Sequence, residues 1–200
     1  MTVAQLLAAL ASPDPTPGGG TAAAIAGAMG TSLLLMVTGL AKSRTNTDEE
    51  KAMLTSARAA LDPIAAQLTR LADADTIAFD GVMAAYRLPK ATDDEKAART
   101  AKIQEALRGA TVVPLETLRA CAQAIAQGGT VAEHGNRSAS SDVGVAIGLL
   151  KAAAEGAAAN VRINLTSLKD ESFRGPTETE TVQLLDAVTS RAAAAMRAAS

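Results

Sequence analysis

The chain has 200 residues with a formal net charge of −2, a length suited to one domain over residues 1–200 rather than two. Hydrophobic residues make up 48% but aromatics only 2%, and no basic stripe is interleaved with aromatics, which excludes nucleic acid as an expected partner. A single cysteine, Cys121, and a single histidine, His134, exclude an internal disulfide and a Cys/His zinc cluster. The core must come from Ala, Leu, Val, Ile and Met, which favours closely packed helices over sheets.

The opening MTVAQLLAAL lacks a basic n-region, so the chain is expected to be cytoplasmic, and it predicts a short helix from about Thr2 to Ala11. Pro13, Pro15 and Pro17 break that helix. Thr16 followed by Pro17 predicts the start of helix two, with Thr16 as N-cap and an end near Ser43. Thr21 to Ala41 carries no charge, enough residues to span a bilayer. Gly27, Gly30 and Gly39 and the hydroxyls of Thr31, Ser32 and Thr38 favour a buried central helix and no membrane partner. Thr47 or Asp48 caps helix three, which runs to about Arg87 and bends or splits at Pro63. Leu88-Pro89-Lys90 is a turn, and Thr92 caps helix four, which bends near Pro114 and reaches about Gln127 before Gly128-Gly129. Gly135 to Ser141 reads as a polar loop, with Ser141 or Asp142 capping helix five to about Lys169. Arg174-Gly175-Pro176 reads as a turn, with Thr177 capping the last helix. The expected fold is all-α, a bundle of five or six long helices with close Gly/Ala packing.

Three constellations carry chemistry. Gly18-Gly19-Gly20 opens helix two; glycine costs about 1 kcal/mol relative to Ala inside a helix, so something must approach the backbone there. Either a neighbouring helix or a ligand drawn to free N–H groups fits. In helix five, Gly144, Gly148, Ala152, Gly156, Asn160 and Asn164 recur at i+4 steps, and Gly19, Ala23, Gly27 and Thr31 form a similar row in helix two. The two rows are expected to pack face to face, in one subunit or across a dimer. Polar residues on apolar faces or helix ends form the third set: Asp73, Asp80, Asn136, Ser141, Asp142 and Arg162. Asp142 is either an N-cap or a site group, Asp73 is either solvated or part of a site, and Asp75 is read as solvated. Asp80, beside Phe79, is either an exposed residue or a general acid whose pKa burial would raise. His134 and Lys90 are each either a loop or turn residue or a binding group.

Five ordered blocks resemble the formiminotetrahydrofolate cyclodeaminase and methenyltetrahydrofolate cyclohydrolase family. They are Pro15-Thr16-Pro17-Gly18-Gly19-Gly20-Thr21-Ala22-Ala23-Ala24; Phe79-Asp80-Gly81-Val82-Met83-Ala84-Ala85-Tyr86-Arg87-Leu88-Pro89-Lys90; Pro114-Leu115; Gly135-Asn136 with Ser141-Asp142-Val143-Gly144-Val145; and Asn160-Val161-Arg162-Ile163-Asn164-Leu165 with Leu168-Lys169-Asp170. Thr21 stands where Ser is common in the family, and His134 where Lys is common. The resemblance implies a helical homodimer or higher homo-oligomer acting on a reduced folate, with no cofactor beyond that substrate and no metal. One implied chemistry closes 5-formiminotetrahydrofolate to 5,10-methenyltetrahydrofolate with release of ammonia; the other interconverts methenyl- and 10-formyltetrahydrofolate. Asp80 and Asp142 are the expected acid–base pair. Gly18, Gly19 and Gly20 would meet the pterin or its linker, and Asn136, Ser141, Asn160 and Asn164 would orient polar groups. Lys90, Arg162 or Lys169 would meet the glutamate tail. The rival from another class is a non-catalytic helical binding or assembly domain.

Overall fold

The computed structural model describes residues 1–40 and 46–199. The helices are α1 (Val3–Leu10), α2 (Gly19–Gly39), α3 (Asp48–Tyr86), α4 (Asp93–His134), α5 (Ser140–Leu165) and α6 (Glu171–Ala199), with a 3-10 turn at Arg137–Ala139 before α5. No strand occurs among the described residues. The all-α bundle with five long helices is therefore observed, and the predicted end of helix two near Ser43 lies outside the described residues.

Local signals set three helix starts. Thr2, Thr47 and Thr92 each accept from the N3 backbone N–H, while the N3 side chain (Gln5, Glu50 or Glu95) bonds back to the cap residue. These reciprocal bonds satisfy two otherwise orphaned donors, and substituting such a cap typically costs about 1 kcal/mol.

Five predicted boundaries differ from the structure: helix five ends at Leu165 rather than about Lys169, and the other four differ for tertiary or local reasons. Helix two starts at Gly19 with Gly18 as N-cap rather than Thr16. Gly128-Gly129 does not end helix four, which continues to His134. Gly128 lies where a Cβ would come 2.5 Å from Ile147 Cδ1, so its missing side chain lets α4 and α5 approach. Helix five starts at Ser140 with Ala139 as N-cap and no side-chain cap, so neither Ser141 nor Asp142 caps it. Arg174-Gly175-Pro176 is no turn: Asp170 Oδ1 accepts from the N–H groups of Ser172 and Phe173, and α6 starts at Glu171 and runs through Pro176. Pro63 and Pro114 likewise lie within unbroken helices.

α4 lies at the centre, touching α2, α3, α5 and α6. α2 runs antiparallel to α3 and α5: Gly20 meets Asp75 and Gly27 meets Leu68, while Gly19 meets Asn160 and Gly30 meets Ala146. Fully buried Leu34, Leu61, Leu68, Leu118, Ile125, Ile147 and Leu150 form the main core. Each such side chain contributes about 1.5–3 kcal/mol on burial. A second cluster, with Val82, Ile103, Leu107, Val161 and Leu165, fills the end where α3 turns into α4.

The face-to-face packing of the two glycine rows holds only in part. A step of four residues advances about 40° beyond one full turn, so an i+4 row winds around the helix. Gly156 meets Ala23 Cβ and Asn160 meets Gly19, but Gly148 has nothing within 4 Å and Gly27 faces Leu68 and Cys121 instead. By length and composition α2 could cross a membrane, with mean hydropathy 1.6; in this fold half of that stretch is buried inside the bundle. α1 buries none of its residues.

Cys121 is fully buried against Gly27, and burial pushes its thiol up to about 12. A thiol kept neutral and covered reacts slowly. An aromatic disulfide reagent at pH 8 is therefore expected to leave the native protein unlabelled and to label one thiol after unfolding. Fast native labelling would contradict this packing.

Candidate functional site

The first residues of α2 are held against two neighbours. The amides of Gly19, Gly20 and Thr21 occupy the first helical positions, where no carbonyl lies four residues back within the helix, and no side chain among the described residues caps them. Ala22 N–H is the first to bond back, to Gly18 O. Gly20 is buried against α3: a Cβ there would lie 2.1 Å from Asp75 Oδ1 and 2.6 Å from its Cγ. That clash explains the third glycine of the run. The Asp75 carboxylate accepts from Thr21 Oγ1 at 3.0 Å, and Thr76 Oγ1 is 3.4 Å from the same hydroxyl. An acid beside a helix N-terminus is electrostatically favourable.

α5 completes this corner. Asn160 Nδ2 donates to Gly156 O at 2.8 Å and lies 3.9 Å from the Cβ position of Gly19. One turn on, Asn164 Nδ2 donates to Ala110 O of α4 at 2.9 Å, so this amide ties two helices together. Phe79 lies one turn beyond Asp75 on the same side of α3, partly buried. Tyr86 and Phe173, the remaining aromatics, belong to the same end of the bundle. The corner thus gathers uncapped amides, a half-buried carboxylate, an amide side chain and an aromatic ring.

The other sequence-predicted residues separate into groups. Asp80 is exposed, has no hydrogen-bond partner among the described residues, and points about 140° around α3 from Asp75. Asp142 is half-buried in the first turn of α5, without a side-chain partner among the described residues. Asp142 precedes Asn160 by 18 residues, about 27 Å along the helix. One protomer therefore does not bring Asp80 and Asp142 together. Ser141 is exposed beside Asp142, and Asn136 Oδ1 accepts from Ser138 N–H, so both lie at the far end with Asp142. His134 is there too, with Nδ1 3.8 Å from Glu50 Oε1. Lys90 is exposed beyond α3; Arg162 Nε pairs with Glu178 at 3.1 Å; Lys169 is exposed, its backbone N–H bonded to Gln104. Asp73 is exposed.

Asp75, read from the sequence as solvated, is the residue that sequence reasoning missed. Its signal was the glycine run, since a buried glycine at a helix start demands a neighbour, but which helix supplies that neighbour is a tertiary fact.

A groove of about 670 Å³ lies elsewhere, between α3, α4 and α6, lined by residues that include Gln67, Arg119, Gln123, Gln127 and Arg191. Its carboxylate, Glu180, is already engaged. Arg119 grips Glu180 through Nε and Nη2, both at 2.6 Å, and Glu116 through Nη1 at 2.7 Å. The Arg119 hydrogen bonds hold Glu180 below the usual glutamate range and, with Glu116, hold Arg119 firmly charged. Groups locked in this way brace α4 against α6 and are poor proton carriers. A depressed folded-state pKa means that the Glu180 contribution is present above the ordinary glutamate range and is lost as pH falls through its folded pKa. In thermal melts between pH 3 and pH 7, Glu180→Gln should therefore lose stability at neutral pH and show a flatter acid limb. An unchanged acid limb would assign the acid sensitivity to other groups.

The fold and the corner at the start of α2 define a class: an all-helical bundle with a polar corner built from backbone amides and a carboxylate. The sequence profile described as formiminotransferase-cyclodeaminase matches residues 2–183, and the chain belongs to that family. A methenyltetrahydrofolate cyclohydrolase of Methylorubrum extorquens is 46% identical over 172 residues, covering 86% of this chain and 83% of that protein. The formimidoyltransferase-cyclodeaminase of Rattus norvegicus is 36% identical over 177 residues; the match covers 88% of this chain but 33% of that longer protein. The crystal structure of a formiminotetrahydrofolate cyclodeaminase from Thermotoga maritima superposes with a TM-score of 0.88 at 25% identity, covering 99% of this chain and 95% of that one.

Proposed function

We propose that this chain is a folate one-carbon enzyme that opens or closes the five-membered ring of 5,10-methenyltetrahydrofolate, in the cytoplasm and as a homodimer or higher oligomer. The observation that carries this reading is the corner at the start of α2, where Gly20 is buried against Asp75. Hydrolytic ring opening is the first reading, because the stand-alone cyclohydrolase is 46% identical over most of both chains. Cyclodeamination of 5-formiminotetrahydrofolate is the second, supported by the fold shared with the Thermotoga maritima cyclodeaminase.

The chemistry needs proton movement and placement. In hydrolysis, a carboxylate removes a proton from water as its oxygen attacks the carbon between N5 and N10. The N5–carbon bond then breaks, N5 takes a proton, and the formyl group stays on N10. In cyclodeamination, N10 attacks the formimino carbon, loses its proton to the base, and the protonated amine departs as ammonia. Asp75 is the carboxylate placed to act as base, while the Gly19 to Thr21 amides and Asn160 orient pterin heteroatoms. Phe79 offers a ring for stacking, and Lys90 and Lys169 are available to the glutamate tail. No step calls for a metal or a covalent nucleophile.

The test is a parallel ultraviolet assay of purified protein with 5,10-methenyltetrahydrofolate and 5-formiminotetrahydrofolate. The expected result is catalysed loss of the methenyl absorbance, and ammonia release from the formimino compound if deaminase activity is present. Tight folate binding with turnover of neither compound would instead support the non-catalytic binding domain.

A further inference from the structure

Among the described residues three prolines, Pro63, Pro114 and Pro176, lie inside helices. In an α-helix the N–H of each residue bonds to the carbonyl four residues back, so a proline leaves that carbonyl without its helical partner. For Pro63 and Pro176 the carbonyls belong to Ala59 and Ser172. All four of these residues are exposed, so water can replace the missing N–H. Pro114 differs. It is buried in the middle of α4, and the carbonyl that it frees belongs to Ala110, which packs against the cluster of Leu107, Val161 and Leu165. An acceptor left unmet there would be costly. Asn164 meets it: from the last turn of α5 its Nδ2 reaches Ala110 O at 2.9 Å. Gln104 of α4 holds the chain just beyond, donating from Nε2 to Ser167 O at 3.0 Å and accepting at Oε1 from Lys169 N–H at 2.8 Å. α4 thus ties the end of α5 at two points, one of which exists because residue 114 has no N–H. One turn before Asn164 on the same ridge, Asn160 stands beside Gly19, its own Nδ2 turned back onto Gly156 O.

We propose that Asn164 is a positioning residue rather than a ligand contact: paired with the carbonyl that Pro114 frees, it fixes where Asn160 stands against the start of α2. The two asparagines look alike in sequence, four residues apart on one ridge, but their donors are spent differently. Asn160 bonds within its own helix and so stays at the corner, whereas Asn164 commits its N–H to a neighbouring helix. Replacing Asn164 would leave Ala110 O unmet and loosen the last turn of α5, and Asn160 would move with it. The pairing of Pro114 with Asn164 is independent of what the corner binds; its effect on turnover rests on the folate reading above.

Two measurements decide it. The first is a double-mutant cycle read in melting temperature. Asn164→Ala should lower it by about 2–6 °C, the scale of one unmet acceptor in a domain this size. Asn164→Asp, of the same shape but with no N–H to give at pH 7, should do no better. In a Pro114→Ala background residue 114 brings its own N–H, and either change at Asn164 should cost less than half as much. Equal losses in the two backgrounds, or an Asn164→Asp protein as stable as the wild type, overturn the pairing. The second measurement is kinetic, with 5,10-methenyltetrahydrofolate. Asn164→Ala should lower kcat/KM by about 10–100-fold, the cost of a small misplacement of an orienting group. Added to Asn160→Ala it should cost nothing further, since no side chain remains for it to place. Losses that multiply in the double variant would give Asn164 a contact of its own and overturn the positioning role. If the wild type turns over neither folate, the functional reading fails, and the melting cycle still decides the pairing.

Discussion

Asp75→Asn is expected to lower turnover of 5,10-methenyltetrahydrofolate by roughly 10²–10⁴-fold, the usual contribution of a positioned acid or base, with little change in melting temperature. The substitution is nearly isosteric. The amide oxygen of the new side chain can still accept from the Thr21 hydroxyl, and the close fit against Gly20 is kept, so the change removes charge and proton affinity rather than packing. Gly20→Ala tests the same corner differently. Its Cβ would sit 2.1 Å from Asp75 Oδ1, so the carboxylate must leave its place or α2 must shift. Both variants should lose activity, but only Gly20→Ala should also change stability. A fall in kcat below about threefold for Asp75→Asn, with the fold intact, would remove Asp75 from the chemistry, since it lies well short of the general-base range.

The second large effect concerns the glycine seam that lets α2 and α5 close. A Cβ on Gly30 would stand 2.7 Å from Ala146 O and 2.9 Å from Leu150 Cγ. The oxygen belongs to the backbone of α5, so relief requires that helix to move. Forcing a methyl into a packed core costs about 1–3 kcal/mol, against a gain of up to about 1 kcal/mol from the better helix propensity of Ala. Gly30→Ala is therefore expected to lower the melting temperature by several degrees, at about 2–4 °C per kcal/mol for a domain this size. Gly109 is the control, since a Cβ there meets nothing within 4 Å. Gly109→Ala should be neutral or stabilising. Calorimetry of the pair checks this, and a stabilised Gly30→Ala protein would contradict the close crossing of α2 and α5.

What the sequence made legible was local. Thr47 followed by Glu50, and Thr92 followed by Glu95, announce helix starts because cap and N3 residue answer each other within one turn. Composition alone indicated an all-helical core, because aromatics and alternating β-branched runs were absent. What stayed hidden depended on neighbours. Gly128 reads as a helix stop until Ile147 is placed against it. Pro176 reads as a turn until Asp170 is seen capping α6 upstream. The glycine run showed that something approaches the start of α2, yet only the antiparallel pairing of α2 with α3 names Asp75. Asp80 and Asp142 were singled out for their sequence settings, and the fold puts them on different faces of different helices at opposite ends of the bundle.

A reduced folate bound at the start of α2 must lie against the amides there. Amide chemical-shift mapping with 5-formyltetrahydrofolate, a stable folate, tests it most directly. The largest perturbations are expected on Gly19, Gly20 and Thr21, with Asp75, Phe79 and Asn160 following. Perturbations confined to the α3, α4 and α6 groove around Arg119 and Gln123 would contradict it.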